Sequence, residues 1–566
     1  MTRCIHSIAK AFCIEKNFTG KESILMFLNN NCDKLNSGKD YCNYNILRRR
    51  VRMKDAKVAT WFLALILLST LIVPVHRSQS KWDAHENSAR LISSQKSTLR
   101  PAEDHSAWLP LILKTSAMRF PIGAVFYGNF RHPDSYISLE EAARYDLIVT
   151  SRSASYAGWR SGPSQKDAFL RLKALNPKLK IMVYQMGPGQ YIESDWGKVG
   201  DGLDWVKANH GKNASDRWLS LGVSTGEYLR ALPYPVERAM HLGNRNWQDY
   251  WNARTVQDFF TAGQPNYLAG ADGIFADGMQ PSVHWSNKWC PESKLFFPQG
   301  STIPYCGDTH NSAVDHPDFY YQGGTYNTAR WYSDLVSFLD RAVPYWRERN
   351  LLFGLNAWIV VETSTQPYRR DLNRIQPFLV MDEYSFYGDS SGNAPTVTQW
   401  ERALANLRDA QGYRLFSMNR FITSCSQQGL DRLDCKNRAG ASGWDVLWFS
   451  LMSFLLGYNF DLENPNGYFA FSAWGYQDQY VYPEYDRLPD IGAPLSEARK
   501  EANGLWLRPF ERGLIAVNIT DQEIQYHLAR QARVLGHTNF LDPSSVPATS
   551  QLVLPAGRGA LLIYTE

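Results

Sequence analysis

Short apolar runs recur along the middle of this chain, with longer mixed segments between them. The first lies at 120–127 (FPIGAVFY), the second at 145–150 (YDLIVT) and the third at Lys180–Met186 (KIMVYQM). The fourth is 272–277 (DGIFAD), the fifth 351–356 (LLFGLN), and 378–383 (FLVMDE), 413–418 (YRLFSM) and 468–472 (YFAFS) complete the set. Continuous apolar strands of this length suit a parallel sheet covered on both faces. Segments such as 164–175 and 249–260 read as the helices between them. Eight strands alternating with helices predict an α/β fold, a (β/α)₈ TIM barrel over 118–498. A doubly wound open sheet is the competing architecture. It calls for a nucleotide-binding loop, and GPGQYI at 187–192 lacks the third glycine of that fingerprint. After residue 499 the helices stop. Strands at 514–518, 550–554 and 560–564 predict a small C-terminal all-β domain over 499–566.

The stretch 58–75 (VATWFLALILLSTLIVPV) holds no charge and follows a cationic flank of Arg48, Arg49, Arg50, Arg52, Lys54 and Lys57. That order predicts a signal peptide or an uncleaved signal-anchor (transmembrane) helix, with the body extracytoplasmic, either secreted or anchored to the membrane. Residues 76–117 are polar and read as a linker. Residues 1–57 are basic, and 1–52 show no clear apolar period; Met53 opens a more natural targeting segment, so the first 52 residues read either as a start-site error or as a cytoplasmic tail. The chain's net charge is +5, yet residues 1–57 carry 12 Lys/Arg against 5 Asp/Glu. The remaining 509 residues are slightly acidic, which argues against a nucleic-acid partner.

Four of the eight cysteines follow the apolar run, an even number that suits disulfides in an oxidising compartment. The local pairs Cys290–Cys306 and Cys425–Cys435 are the natural choice among three connectivities. Asn213-Ala-Ser and Asn518-Ile-Thr are glycosylation acceptors if the source has the pathway.

Barrel enzymes place their chemistry at the C-terminal ends of the strands. Only the fourth and sixth strands end in carboxylates, Asp277 and Asp382-Glu383. A facing carboxylate pair is the equipment of glycoside hydrolysis, in which one group protonates the leaving oxygen and the other attacks or activates water. Asp277 is the expected nucleophile or base and Glu383 the general acid. Adjacent residues face opposite sides of a strand, so only one of Asp382 and Glu383 enters the mouth, with Asp382 kept as a substrate-binding candidate. Asp272, at the other end of the fourth strand, reads as structural. Tyr127, Asn129, Arg152, Tyr184, Gln185, Asn356, Trp358, Asn419 and Trp474 stand at strand tips with side chains that suit sugar hydroxyls and flat sugar faces, as does Arg420 beside Asn419. The 19 tryptophans of the chain fit a carbohydrate cleft. No metal site is expected: Asp308, His310, Asp315, His316 and Asp318 have no regular ligand spacing. No cofactor is expected either.

The segments NYLAGADGIFADGM, PFLVMDEYSF and YPEYDRLPDIGAPLSEA ahead of a β-rich tail resemble glycosyl hydrolase-like family 15 over about residues 118–566. These are barrel glycosidases related to the polygalactosaminidase type. The resemblance implies a fourth-strand Asp and a sixth-strand carboxylate, here Asp277 and Glu383. Together with the apolar run and its cationic flank, the expectation is an exported or membrane-anchored glycoside hydrolase (O-glycosidase) acting on a poly- or oligosaccharide. The competing reading is a non-catalytic glycan-binding barrel displayed at the cell surface. The stretch 187–270 is long for the pattern.

Overall fold

The structure is a computed structural model. It describes strands between residues 3 and 45, and then residues 118–126, 139–151, 168–192, 199–232, 236–282, 289–297, 305–307, 309–310, 315–357, 365–387, 393–427, 429–473 and 479–565. The chain divides into two compact units, residues 1–105 and 106–566. In the first, the strands Arg3–Ser7, Lys10–Lys16, Glu22–Asp33 and Tyr41–Asn45 pair in sequence order as an antiparallel meander. Sequence reading found no strand there. The expected signal or anchor helix at 58–75 and the linker at 76–117 lie outside the described residues. Among the described residues no helix is long and apolar enough to cross a membrane.

In the second unit all eight predicted strands form. We label them β1 (Gly123–Phe126), β2 (Leu147–Ser151), β3 (Lys180–Met186), β4 (Gly273–Asp277), β5 (Leu352–Asn356), β6 (Leu379–Asp382), β7 (Arg414–Arg420) and β8 (Gly467–Ser472). They make one parallel sheet in sequence order. A bridge between Ile122 and Phe469, with the Phe469 N–H donating to the Pro121 carbonyl at 3.0 Å, joins its first and last members. The nearly closed barrel follows from strands that are apolar on both faces: in β3, every residue after Lys180 is buried.

Side chains alternate strictly along these strands. Val125, Val149, Met182, Tyr184, Phe275, Leu379, Met381, Phe416, Met418 and Ala470 fill the interior. Val183, Ile274, Val380 and Leu415 face the surrounding helices. Continued to the tips, the same alternation turns Asp277, Asn356, Glu383 and Arg420 inward. It turns Gln185, Asp382 and Asn419 outward.

The N-terminal end of the barrel is closed by charge pairing. Asp272 accepts from Lys173 Nζ at 2.6 Å and from the Ile181 N–H at 2.7 Å. Asp146 likewise accepts from the Ile122 N–H at 2.9 Å.

The tail holds six strands rather than the three read from sequence. They are Arg499–Lys500, Leu505–Phe510, Gly513–Asn518, Ile524–Leu535, Ala548–Leu554 and Arg558–Tyr564, in one antiparallel sheet. The sheet shares its core with the barrel. It packs on the helix Gly443–Gly457, which is apolar all round and almost wholly buried, as such a helix has to be. Gly559 lies on Met452 so closely that a Cβ there would stand 2.7 Å from it. Arg508 donates to the carbonyls of Leu455, Leu456 and Tyr458 at 3.0, 3.1 and 2.5 Å, satisfying acceptors that a helix end leaves open. Of the two glycosylation acceptors, Asn518 is fully buried and its amide donates to the Gln522, Leu554 and Pro555 carbonyls. Asn213 is exposed.

Candidate active site

Asp277 ends β4, deep among protein atoms but with an edge still open to solvent. Three donors hold its carboxylate, all of them neutral. Tyr184 Oη, at the inner face of β3, donates to Oδ2 at 3.0 Å. Asn356 Nδ2, at the tip of β5, donates to Oδ1 at 3.0 Å. The Gly278 N–H donates to Oδ1 at 2.8 Å. Gly278 has φ 68°, a left-handed conformation that turns its N–H back onto the carboxylate. Burial raises the Asp277 pKa, and the bonds from Gly278, Asn356 and Tyr184 oppose that rise. At Gly187, after β3, a Cβ would lie 2.3 Å from the Asp277 carbonyl, so only a glycine lets the two backbones approach.

Asn356 also donates to Glu383 Oε2 at 3.2 Å. One amide nitrogen therefore bridges the two carboxylates, and bonds of 3.0 and 3.2 Å cap the separation of those oxygens at about 6.2 Å. Glu383 is nearly buried and accepts from Arg420 Nη1 at 3.2 Å through its other oxygen. The same Arg420 nitrogen donates to the Tyr384 hydroxyl at 3.0 Å. Tyr184, Asp277, Asn356, Glu383 and Arg420 thus come together at one mouth.

Other expected residues do not. Asn419 is fully buried on the helix side, where its amide donates to the Ser417 and Ala470 carbonyls and its oxygen accepts from the Phe386 N–H. Asp382 and Gln185 have the same outward parity and are buried. In each case the neighbouring residue occupies the inward position. Tyr127, Asn129, Arg152, Trp358 and Trp474 lie outside the described residues. Three of the described tryptophans have structural tasks: Trp247, Trp251 and Trp331 donate to the carbonyls of Pro188, Met186 and Gln280 and fix the loops around the mouth. Asp315 accepts from the Ser224 and Thr225 N–H groups and Asp318 from Arg217 and the Leu221 N–H, so both hold the fold of that loop. Among the described residues no metal-binding cluster occurs.

The long segment after β3 and the one after β4 build a feature that sequence reading missed. Gln190–Ile192, Leu229–Ala231 and Glu237–Ala239 from the first and Trp289–Pro291 from the second form a small antiparallel sheet. It is rooted beside β4: the Gly187 N–H donates to the Asp277 carbonyl at 2.8 Å, and the Met240 N–H to the Gly189 carbonyl at 3.0 Å. The pairing register puts Gln190, Glu237, Ala239 and Trp289 on one face and Tyr191, Arg230, Arg238 and Cys290 on the other. On the second face Arg238 and Arg230 pair with Glu292 at 2.7 and 3.8 Å. The disulfide Cys290–Cys306 secures the outer strand, and the expected Cys425–Cys435 bond is present too. On the first face Glu237 is almost wholly buried, and burial together with the charge of Asp277 raises its pKa to about 8.

Residues 173–294 match the model of a family described as hypothetical glycosyl hydrolase family 15. This is the family that the sequence resembles. The matched segment contains Asp277 and the whole small sheet, and ends before Glu383. No curated protein matches the chain by sequence. Among solved structures, a Bacteroides fragilis protein described as a candidate alpha-galactosidase/melibiase overlaps 80% of this chain and 80% of its own, at 10% identity and a TM-score of 0.33. The alpha-N-acetylgalactosaminidase of Bifidobacterium bifidum, solved with GalNAc, overlaps 91% of this chain and 70% of its own, at 9% identity and a TM-score of 0.32. The overlap is loose, and no residue's role follows from it.

Proposed function

We propose that this protein is a glycoside hydrolase that cleaves O-glycosidic bonds at the C-terminal mouth of its barrel. The observation that carries the reading is the Asn356 bridge, which draws the strand-tip carboxylates of Asp277 and Glu383 into one hydrogen-bonded group. Asp277 attacks the anomeric carbon or activates water against it. Tyr184 and Asn356 orient Asp277 without neutralising it, since neither carries charge. The glycosyl hydrolase family match over 173–294 supports the same reaction class. The two disulfides support an oxidising compartment, and so export of the barrel.

The test is a screen of the wild type and Asp277→Asn against a panel of oligosaccharides and aryl glycosides. The expected result is cleavage of at least one glycan by the wild type and a loss of about 10²–10⁴-fold in the variant. Equal cleavage by both removes Asp277 from the chemistry. Binding without cleavage returns the barrel to the role of a displayed glycan receptor.

A further inference from the structure

Glu237 stands outside the strand-tip pair and is used by nothing described so far. Only 3% of it is exposed, and its Oε2 meets no hydrogen-bond partner. It is not alone on its face of the small sheet. Both amide atoms of Gln190, on the adjacent strand, and the indole N–H of Trp289, on the outer strand, are buried and equally without partners. The carbonyl oxygen of Asn356, whose amide nitrogen bridges the two carboxylates, also lacks one. Buried polar atoms normally find partners, so open ones on a sheet rooted beside Asp277 mark where a polar ligand completes the bonding. Donors and acceptors interspersed in this way suit the hydroxyls of a sugar.

We propose that Glu237 is the proton donor of the glycosidase reaction. The inference rests on the reading of the mouth as a glycosidase centre and moves the acid role from Glu383 to the small sheet. The Glu237 O–H proton passes to the glycosidic oxygen as the C–O bond to the anomeric carbon breaks, and the bonding electron pair leaves with that oxygen. Asp277 gives up its negative charge in the same passage, to an ester with the sugar or to a proton taken from attacking water. The single negative charge moves from Asp277 to Glu237. When water completes hydrolysis of an ester, its proton returns to Glu237, its oxygen bonds to the anomeric carbon, and the electron pair of the ester bond returns to Asp277.

The surroundings equip Glu237 for this and Glu383 less so. Both Glu383 oxygens already accept, from Arg420 and from Asn356, an arrangement that anchors those two donors. Among the described residues of the small sheet no cation shares the face of Glu237, because Arg238 and Arg230 turn to the other face and pair with Glu292. Burial and the negative charge of Asp277 raise its pKa to about 8, so it carries its proton at neutral pH. Loss of the Asp277 charge during turnover removes one cause of that rise, and release of the proton becomes easier at the moment it is needed.

The experiment compares methyl glycosides with 2,4-dinitrophenyl glycosides of the common hexoses and N-acetylhexosamines, in both anomers. Dinitrophenolate departs without protonation, so only the methyl series needs the acid. The isosteric Glu237→Gln variant is expected to lose about 10²–10⁴-fold in kcat/KM on methyl glycosides. It should keep most of its activity on dinitrophenyl glycosides and lose the alkaline limb near pH 8 that the wild type shows. Asp277→Asn should lose both series. In infrared difference spectra at pH 7, the protonated-carboxyl band of the wild type should lose one component in Glu237→Gln and keep that of Glu484, whose pKa burial raises to about 7, a readout that needs no turnover. The proposal is overturned if Glu383→Gln shows the leaving-group dependence while Glu237→Gln does not. If Asp277→Asn retains both activities, or the wild type cleaves neither series, the glycosidase reading itself falls and this inference with it.

Discussion

Asp272 and Asp277 flank β4 at opposite ends of the barrel, and their surroundings differ in kind. Asp272 meets the Lys173 ammonium at 2.6 Å and the Ile181 N–H at 2.7 Å, so its charge is cancelled where it stands. The donors to Asp277 are a phenol, an amide and a backbone N–H, none of them charged. One end of the strand spends its carboxylate on closing the barrel. The other keeps a carboxylate oriented and uncompensated, the condition under which it can react. The same residue type five positions apart is thus a fastening at the bottom and, in the proposed reaction, the reagent at the top.

That contrast can be broken by exchange of the two ends. Asp277→Asn should cost about 10²–10⁴-fold in kcat/KM while the melting temperature stays close to that of the wild type, as measured by glycoside assay and calorimetry. Removal of the Cys290–Cys306 bond by a double Ser substitution should cost up to about 3 kcal/mol in the chain-entropy account. The loss should appear as a raised KM before it appears as global unfolding, because the bond secures the outer strand of the small sheet; kinetics and denaturant titration on the same sample separate the two. Lys173→Ala should cost about 1–3 kcal/mol, since it leaves Asp272 partly buried without its cation, and should leave kcat/KM per folded molecule unchanged. A large loss of activity in that variant would dissolve the distinction between the two ends.

The smallest effect concerns pH. The folded-state pKa of Glu237, about 8, lies above its ordinary value of 4.5, so the native state holds a proton that the unfolded chain releases between those values. Its contribution to stability is fully present below about pH 4.5 and is lost as pH rises through 8. Glu237→Gln should therefore melt a few degrees above the wild type at pH 9, with the gap closing as the pH falls toward 4.5. A gap that is the same at every pH would mean that Glu237 does not titrate as described.

The barrel was legible because a strand covered on both faces has no polar position: KIMVYQM of β3 was read with its true limits, and the other seven strands within three residues at either end. Asp277 was legible because a carboxylate at the end of so apolar a run is costly unless it is used. The tips were read less well where side-chain parity was left aside. Counting back by twos from Asn419 meets Ser417 and Leu415, which face the helices, whereas Arg420 follows Met418 and Phe416 into the interior. Glu237 could not be read. Its strand is three residues long, and its neighbour Asp277 is 40 positions away, so only tertiary packing makes it an unusual acid. The strand Ile524–Leu535 was missed for a related reason: its charged, exposed positions hide the alternation that its buried Ile524, Leu528 and Ala532 keep.

The helix Gly443–Gly457 precedes β8 in the chain but finds its outer cover only in strands that follow residue 499, with Gly559 against Met452. During synthesis, the last helix–strand unit of the barrel therefore emerges with an apolar flank that the ribosome has not yet supplied a partner for. Its final seating waits on the strand Arg558–Tyr564, which begins 101 residues after the helix ends. A nascent chain stopped between those points exposes that flank as an aggregation-prone surface, so solubility of the barrel depends on strands that lie outside it.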